Sequence, residues 1–183
     1  MAITGILLAA GAGTRLGGPK ALQRADDGTP WLTTGVQLLL DGGCDHVVVV
    51  VGAMASLARP LIPMDARVTT IEAADWADGM SHSLRAGLTA ATAADTNDAV
   101  LITLVDLPAL PVAVLERVIA ADGPLRQAVY DGRPGHPVFI ASAHWAAAAA
   151  SLEGDTGARR YLVAHGVTEV ECGDIFDGND VDE

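Results

Sequence analysis

Lysine is almost absent from this 183-residue chain: Lys20 stands alone against ten arginines. Basic residues number 11 and acidic residues 23, a formal charge of −12. An acidic excess of that size excludes a surface built to follow nucleic acid, which needs clustered Lys and Arg. A small anion is still acceptable where a local site or a metal reverses the field, so each basic residue matters individually. Cysteine is scarce as well. Cys44 and Cys172 lie far apart and lack metal-ligand spacing, so they read as inert thiols of a reducing compartment and not as a disulfide. Aromatics make up only 4% of the residues while half are hydrophobic, which fits none of the disordered, collagenous or disulfide-scaffold compositions. The N-terminal MAITGILLAAGAG has no basic region ahead of its apolar run, and glycines break that run. It reads as neither a signal peptide nor a membrane span, and the expected location is cytoplasmic, with no membrane partner.

What is present is alternation. Ile3–Ala9 is a nearly continuous apolar run, as expected of a strand buried on both faces of a parallel sheet, and a glycine-rich loop at 10–20 follows it. Residues 31–40 read as a helix closed by Asp41-Gly42-Gly43, and 46–51 as a strand of five valines ended by Gly52. A short helix over 53–60, a strand over 67–72, a helix over 81–93, a strand over 99–105 and a helix over 111–121 continue the pattern. Strands at 125–130 and 136–140 are joined by a turn over 131–135; helices at 144–152 and 158–165 and a strand at 167–172 complete it. This order predicts an α/β fold, one domain over residues 1–183, with a mostly parallel sheet flanked by helices on both faces. Ligands of such sheets bind beyond the carboxyl ends of the strands, so the loops after Ala9, Val51, Glu72 and Val105 should share one face.

The loop Gly11-Ala-Gly13-Thr14-Arg15-Leu-Gly17-Gly18-Pro-Lys20 follows a strand directly, and it holds the single lysine. Glycines let backbone N–H groups approach a phosphate closely, and Arg15 and Lys20 add positive charge. A Rossmann dinucleotide site would need glycine where Leu16 stands and an acid about twenty residues on, where the chain has Val51-Gly52. A Walker A loop would need Gly-Lys-Ser/Thr, and Gly18-Pro19-Lys20-Ala21 does not supply it. A bare βα turn without a ligand leaves the position of the only lysine unexplained.

Four further blocks carry chemistry. Leu104-Val105-Asp106-Leu107-Pro108 sets a carboxylate at the mouth of a strand, where it can serve as an oxygen ligand for Mg²⁺ or as an Asx turn or N-cap before Pro111. Gly79-Met80-Ser81-His82-Ser83-Leu84-Arg85 opens a helix; Ser81 suits an N-cap, and Ser83, His82 and Arg85 can face a ligand. Gly132-Arg-Pro-Gly135-His136-Pro137 and Gly154-Asp155-Thr-Gly157-Ala-Arg159 follow, His136 being equally at home as a turn residue. The tail over 177–183 is acidic, as solvated tails commonly are.

Leu8-Ala9-Ala10-Gly11-Ala-Gly13-Thr14-Arg15-Leu-Gly-Gly-Pro-Lys20 resembles the signature L-A-(A/G)-G-x-x-x-R-(M/L)-G-x-x-K of the MobA-like nucleotidyltransferases. With Ala9-Ala10-Gly11 and the Gly-His-Pro block, the chain is most similar to their molybdenum cofactor cytidylyltransferase (MocA-like) branch. The resemblance implies a Rossmann-like nucleotidyltransferase fold, with Leu8, Ala9, Ala10, Gly11, Gly13, Thr14, Arg15, Lys20, Ser83 and Asp106 at the nucleotide. It implies catalytic roles for Arg15, Lys20 and Asp106, and an acceptor side formed by His136, Asp155 and Arg159. Asp180-Val181-Asp182 resembles the start of the family's D-I-D-T-P-E-D segment, which makes Asp180 the expected second Mg²⁺ ligand beside Asp106 and Asp182 a lesser candidate. The chain departs from the pattern by stopping at Glu183. The implied reaction is transfer of CMP from CTP, favoured over GTP, to the terminal phosphate of a molybdopterin-type acceptor, releasing pyrophosphate. Transient contact with a molybdoenzyme or its chaperone would follow. A GTP-using or other small-molecule-phosphate transferase, or a molybdenum cofactor carrier that has lost catalysis, are the competing readings.

Overall fold

The computed structural model describes residues 1–13, 18–93, 98–155 and 157–180. Its strands are β1 (Ile3–Ala9), β2 (His46–Val51), β3 (Val68–Glu72), β4 (Ala99–Leu104), β5 (Leu125–Tyr130), β6 (Arg133–Ala141) and β7 (Thr168–Glu171). The helices are α1 (Trp31–Asp41), α2 (Ala55–Ala58), α3 (Met80–Thr92), α4 (Val112–Ala120), α5 (Trp145–Ser151) and α6 (Arg159–Ala164). The strands form one seven-stranded sheet in the order β3-β2-β1-β4-β6-β5-β7. Strands β3, β2, β1 and β4 run parallel, β6 is antiparallel to both β4 and β5, and β7 is parallel to β5.

The valine run of β2 shows why the sheet is sandwiched. Val47, Val49 and Val51 pack with Leu32, Val36 and Leu39 of α1 and Val114, Leu115 and Val118 of α4. Val48 and Val50 turn the other way, into the cluster that also holds Leu84 and Leu88 of α3, Trp145 of α5 and Leu162 of α6. Alternate side chains of a strand point to opposite faces, so a strand covered on both sides must be apolar throughout. Each buried valine contributes on the order of 1.5–3 kcal/mol of transfer free energy. Ile3, Leu7 and Leu101 join the first layer, and Ile6, Val100 and Ile102 the second. Cys44 and Cys172 are free and buried, and burial pushes the Cys44 thiol up to about 12.

One element differs from the sequence expectation. The hairpin turn is two residues, Asp131-Gly132, both at positive φ (52° and 73°), and β6 begins at Arg133 rather than at His136. Asp-Gly suits a turn that needs left-handed backbone at both central positions, and its twist matches the flanking strands. Arg133-Pro134 is then drawn into pairing with Tyr130 and Val129, and the irregularity between Gln127 and Val129 sets Gly135, His136 and Pro137 against Ala128 alone. The remaining boundaries shift by only a residue or two, as helix and strand ends do, save the 53–60 helix, which is α2 followed by a 3₁₀ turn at Arg59–Leu61.

The parallel strands bring their following loops together at one end of the sheet. The Ala53 amide donates to Ala10 O at 2.9 Å, Ala73 to Val51 O at 2.9 Å, and Val105 to Leu8 O at 3.1 Å. Among the described residues no helix is long and apolar enough to cross a membrane.

Candidate functional site

At this end of the sheet lies a cleft of about 360 Å³. Its floor is Leu8, Ala9 and Ala10, the end of β1 and the residue after it. Gly11 and Gly13 form one wall, followed by Lys20 on a 3₁₀ turn at Lys20–Leu22. The Gly18 amide donates to Gly13 O at 3.2 Å and closes the loop on itself. Gly13 sits at φ +57°, and a Cβ there would lie 2.0 Å from Gly18 O, so this position has no room for a side chain. Thr14 and Arg15 lie outside the described residues.

Asp106 stands where β4 ends, beside the floor. Its Oδ2 accepts from Lys20 Nζ at 2.7 Å, with the two side chains 13% and 19% exposed. Its Oδ1 is buried and has no hydrogen-bond partner among the described residues. The Asx-turn or N-cap reading therefore fails: α4 follows Pro111 with no side-chain cap, and the Asp106 carboxylate is committed to the cleft. An orphaned oxygen beside an ion-paired one, next to a glycine-rich loop, suits a hard divalent cation that completes its shell with phosphates and water. Among the described residues no group of three or more His, Cys, Asp or Glu could hold a metal unaided. Asp180, the last described residue, is exposed and does not line the cleft, and Asp182 lies outside the described residues.

The opposite wall is the start of α3, which carries buried Ser83 into the cleft. Ser81 does not cap this helix. It sits inside the first turn with a buried Oγ that has no partner among the described residues. The exposed amides are covered from a distant segment: Met80 N donates to Asp155 Oδ1 at 3.3 Å and Ser81 N to Gly154 O at 3.1 Å. Asp155 thus lines the same cleft as the glycine loop, apart from the other two residues assigned to the acceptor side.

His136 and Arg159 meet in an adjoining cavity of about 180 Å³. Leu8 and Met80 line both cavities and form the partition. Leu84, Ile102 and Val138 make most of this second cavity apolar. His136 is half-buried, yet its surroundings are dense enough that burial pushes the imidazole down to about 4, against the opposing pull of the Asp106 charge. It is neutral at neutral pH. His82 and Arg85 face away from both cavities, in a groove beside Glu72 and Asp75. Arg85 is structural, donating to Ala149 O at 3.3 Å and Leu152 O at 2.6 Å at the C-terminal end of α5.

Trp76 was not singled out in the sequence. It lines the cleft on a 3₁₀ turn at Trp76–Asp78, and a Cβ on Gly52 would lie 2.6 Å from its Cγ. The available signal was the single aromatic residue in a strand-to-helix loop otherwise made of Ala, Asp and Gly, on the ligand face.

The family model for the MobA-like NTP transferase domain matches residues 5–170. The chain belongs to this family. Nicotine blue oxidoreductase of Paenarthrobacter nicotinovorans is 36% identical over 192 aligned residues, covering 98% of this chain and 92% of that protein. The crystal structure of Rv0371c from Mycobacterium tuberculosis H37Rv superposes with a TM-score of 0.82 at 27% identity, over 100% of this chain and 93% of that one. A manganese complex of Rv0371c gives a TM-score of 0.75 at 25% identity, over 94% and 89%. The single-domain α/β architecture is thus that of the MobA-like nucleotidyltransferases.

Proposed function

We propose that the protein is a cytoplasmic, Mg²⁺-dependent cytidylyltransferase that moves CMP from CTP to the terminal phosphate of a molybdopterin-type acceptor and releases pyrophosphate. The observation that carries this reading is the Asp106 carboxylate, one oxygen paired with the only lysine and the other buried without a partner among the described residues, beside a closed glycine loop.

The chemistry needs positioning and charge neutralisation more than covalent participation. The amides of Gly11 and Gly13 would take the triphosphate, with Ser83 and Trp76 toward the nucleoside. Lys20, together with Arg15, would absorb charge as pyrophosphate departs. Asp106 would hold Mg²⁺, whose contribution when bound is to polarise the α-phosphate and neutralise the leaving group. His136 and Arg159 would receive the acceptor across the Leu8–Met80 partition, with Arg159 the permanent cation there. An acceptor that is already an ionised phosphate needs no general base, in keeping with a neutral His136. Asp180 keeps a place as second metal ligand only if the tail folds back toward Asp106 once nucleotide is bound.

Titration of CTP and of GTP, each with and without Mg²⁺, followed by a pyrophosphate-release assay, tests this reading. Tight, metal-dependent CTP binding with release supports it, a GTP preference moves the protein to a sister branch, and binding without release leaves a carrier. Asp106→Asn should lower turnover by about a hundredfold or more with little change in nucleotide affinity; undiminished turnover would remove Asp106 from the mechanism. A second reading is favoured by the relative named nicotine blue oxidoreductase, namely redox chemistry on a small organic compound in the same cleft. Oxidation of NADH in the presence of such a compound, with no pyrophosphate from CTP, would put it first.

A further inference from the structure

Asp106 is the carboxylate a divalent cation would approach, and a cation already sits on it. The Lys20 ammonium lies 2.7 Å from Oδ2, and both side chains are mostly buried. Water screens such a pair weakly, so the ammonium offsets much of the charge that would otherwise attract a metal. A metal arriving alone therefore meets a carboxylate whose accessible charge is spent, with only the orphaned Oδ1 left to offer. A polyphosphate changes the balance by presenting the ammonium with other oxygens. The lysine backbone is held in its turn by Leu22 N donating to Pro19 O at 2.9 Å and Gln23 N to Lys20 O at 3.1 Å. The flexible four-carbon stem can therefore swing between partners while its root stays fixed.

Resting on the metal–nucleotide reading of the cleft, we infer that Lys20 is a placeholder cation. It occupies Asp106 until a triphosphate draws it away, so that metal and nucleotide bind as one unit and not in succession. The two ligands are then coupled, each raising the affinity of the protein for the other. The same swing delivers the ammonium to the phosphates at the moment Asp106 becomes available.

The test uses Mn²⁺ alone, without nucleotide, titrated into the full chain at pH 8 and followed by the paramagnetic resonance signal of the free ion. The wild-type protein should bind weakly. Lys20→Met should bind about tenfold more tightly, because the metal no longer competes with a charged hydrogen bond. Lys20→Arg keeps the charge and should stay as weak as wild type. The double variant Lys20→Met/Asp106→Asn should lose the gain, which assigns the ion to Asp106. Thermal melting confirms that each variant folds, and Lys20→Gln provides a second neutral variant. Tight Mn²⁺ binding by the wild type, or unchanged or weaker binding by folded Lys20→Met and Lys20→Gln, overturns the inference. The nucleotide reading fails separately, through absence of CTP and GTP binding, while the Mn²⁺ comparison still decides the role of Lys20.

Discussion

A methyl group placed at Gly11 and, separately, at Gly13 distinguishes what the loop needs for its own shape from what it offers a ligand. At Gly13 the added Cβ would meet Gly18 O at 2.0 Å and Lys20 N at 3.0 Å, both backbone atoms, on a residue at φ +57°. Left-handed backbone costs an alanine roughly 1 kcal/mol, and overpacking adds about 1–3 kcal/mol. The sum, about 2–4 kcal/mol, is an upper limit, since the loop can open locally instead of bearing the strain. For a chain of this size that corresponds to a fall in Tm of at most roughly 5–10 °C. Opening also moves Lys20, so nucleotide affinity should drop at least about tenfold. At Gly11 a Cβ meets nothing within 4 Å. Gly11→Ala should therefore keep its Tm to within about 1 °C. If the loop amides cradle phosphate, the new methyl intrudes on a close approach and Mg²⁺–CTP affinity should still fall about tenfold. Calorimetric titration and thermal unfolding of both variants give the four numbers required. Wild-type affinity in Gly11→Ala would refute the phosphate cradle, and wild-type stability with wild-type affinity in Gly13→Ala would refute the closed loop.

Trp31 and Trp145 are 8% and 5% exposed, while Trp76 is only partly buried and lines the cleft, so a fluorescence change on adding Mg²⁺–CTP should come from Trp76. Trp76→Phe should abolish it; a change that survives the substitution removes Trp76 from the nucleoside. Burial raises both thiols, Cys44 to about 12, so at pH 8 the reactive thiolate is withheld. A disulfide reagent should leave the native protein unmodified over minutes and titrate two thiols in denaturant, whereas fast native reaction would mean that the core at Cys44 opens readily.

The parts of the fold that the sequence announces are those where one physical demand dictates every residue. Strands β1, β2 and β4 are covered on both faces, and apart from the small buried side chains of Thr4 and Thr103 their buried side chains are apolar. The length of β6 was illegible because Pro134 and Gly135 are turn-formers, and only the pairing of Pro134 against Val129, with the irregularity after Gln127, draws them into the strand. Contiguity explains the site in the same way. Leu8 to Gly13, Lys20, Ser83 and Asp106 stand at the carboxyl ends of β1 and β4, just beyond them, or at the start of α3, places that a parallel sheet brings to one end, and they share the cleft. Asp155 reaches Met80 across 75 residues to cover a helix end, a pairing with no local trace in sequence. Arg85 carried a charge that looked available until the open carbonyls of α5 claimed it.

A chain with one lysine offers a reagent that acylates amines just two addresses, the α-amino group at Met1 and the ε-amino group at Lys20. The first lies near Asp98 at the far end of β1, and the second inside the cleft. Any label beyond the first therefore reports a single position, and its rate measures how accessible the Lys20 amine is in the cleft. The protein carries its own probe for whatever enters the cleft, without an engineered residue.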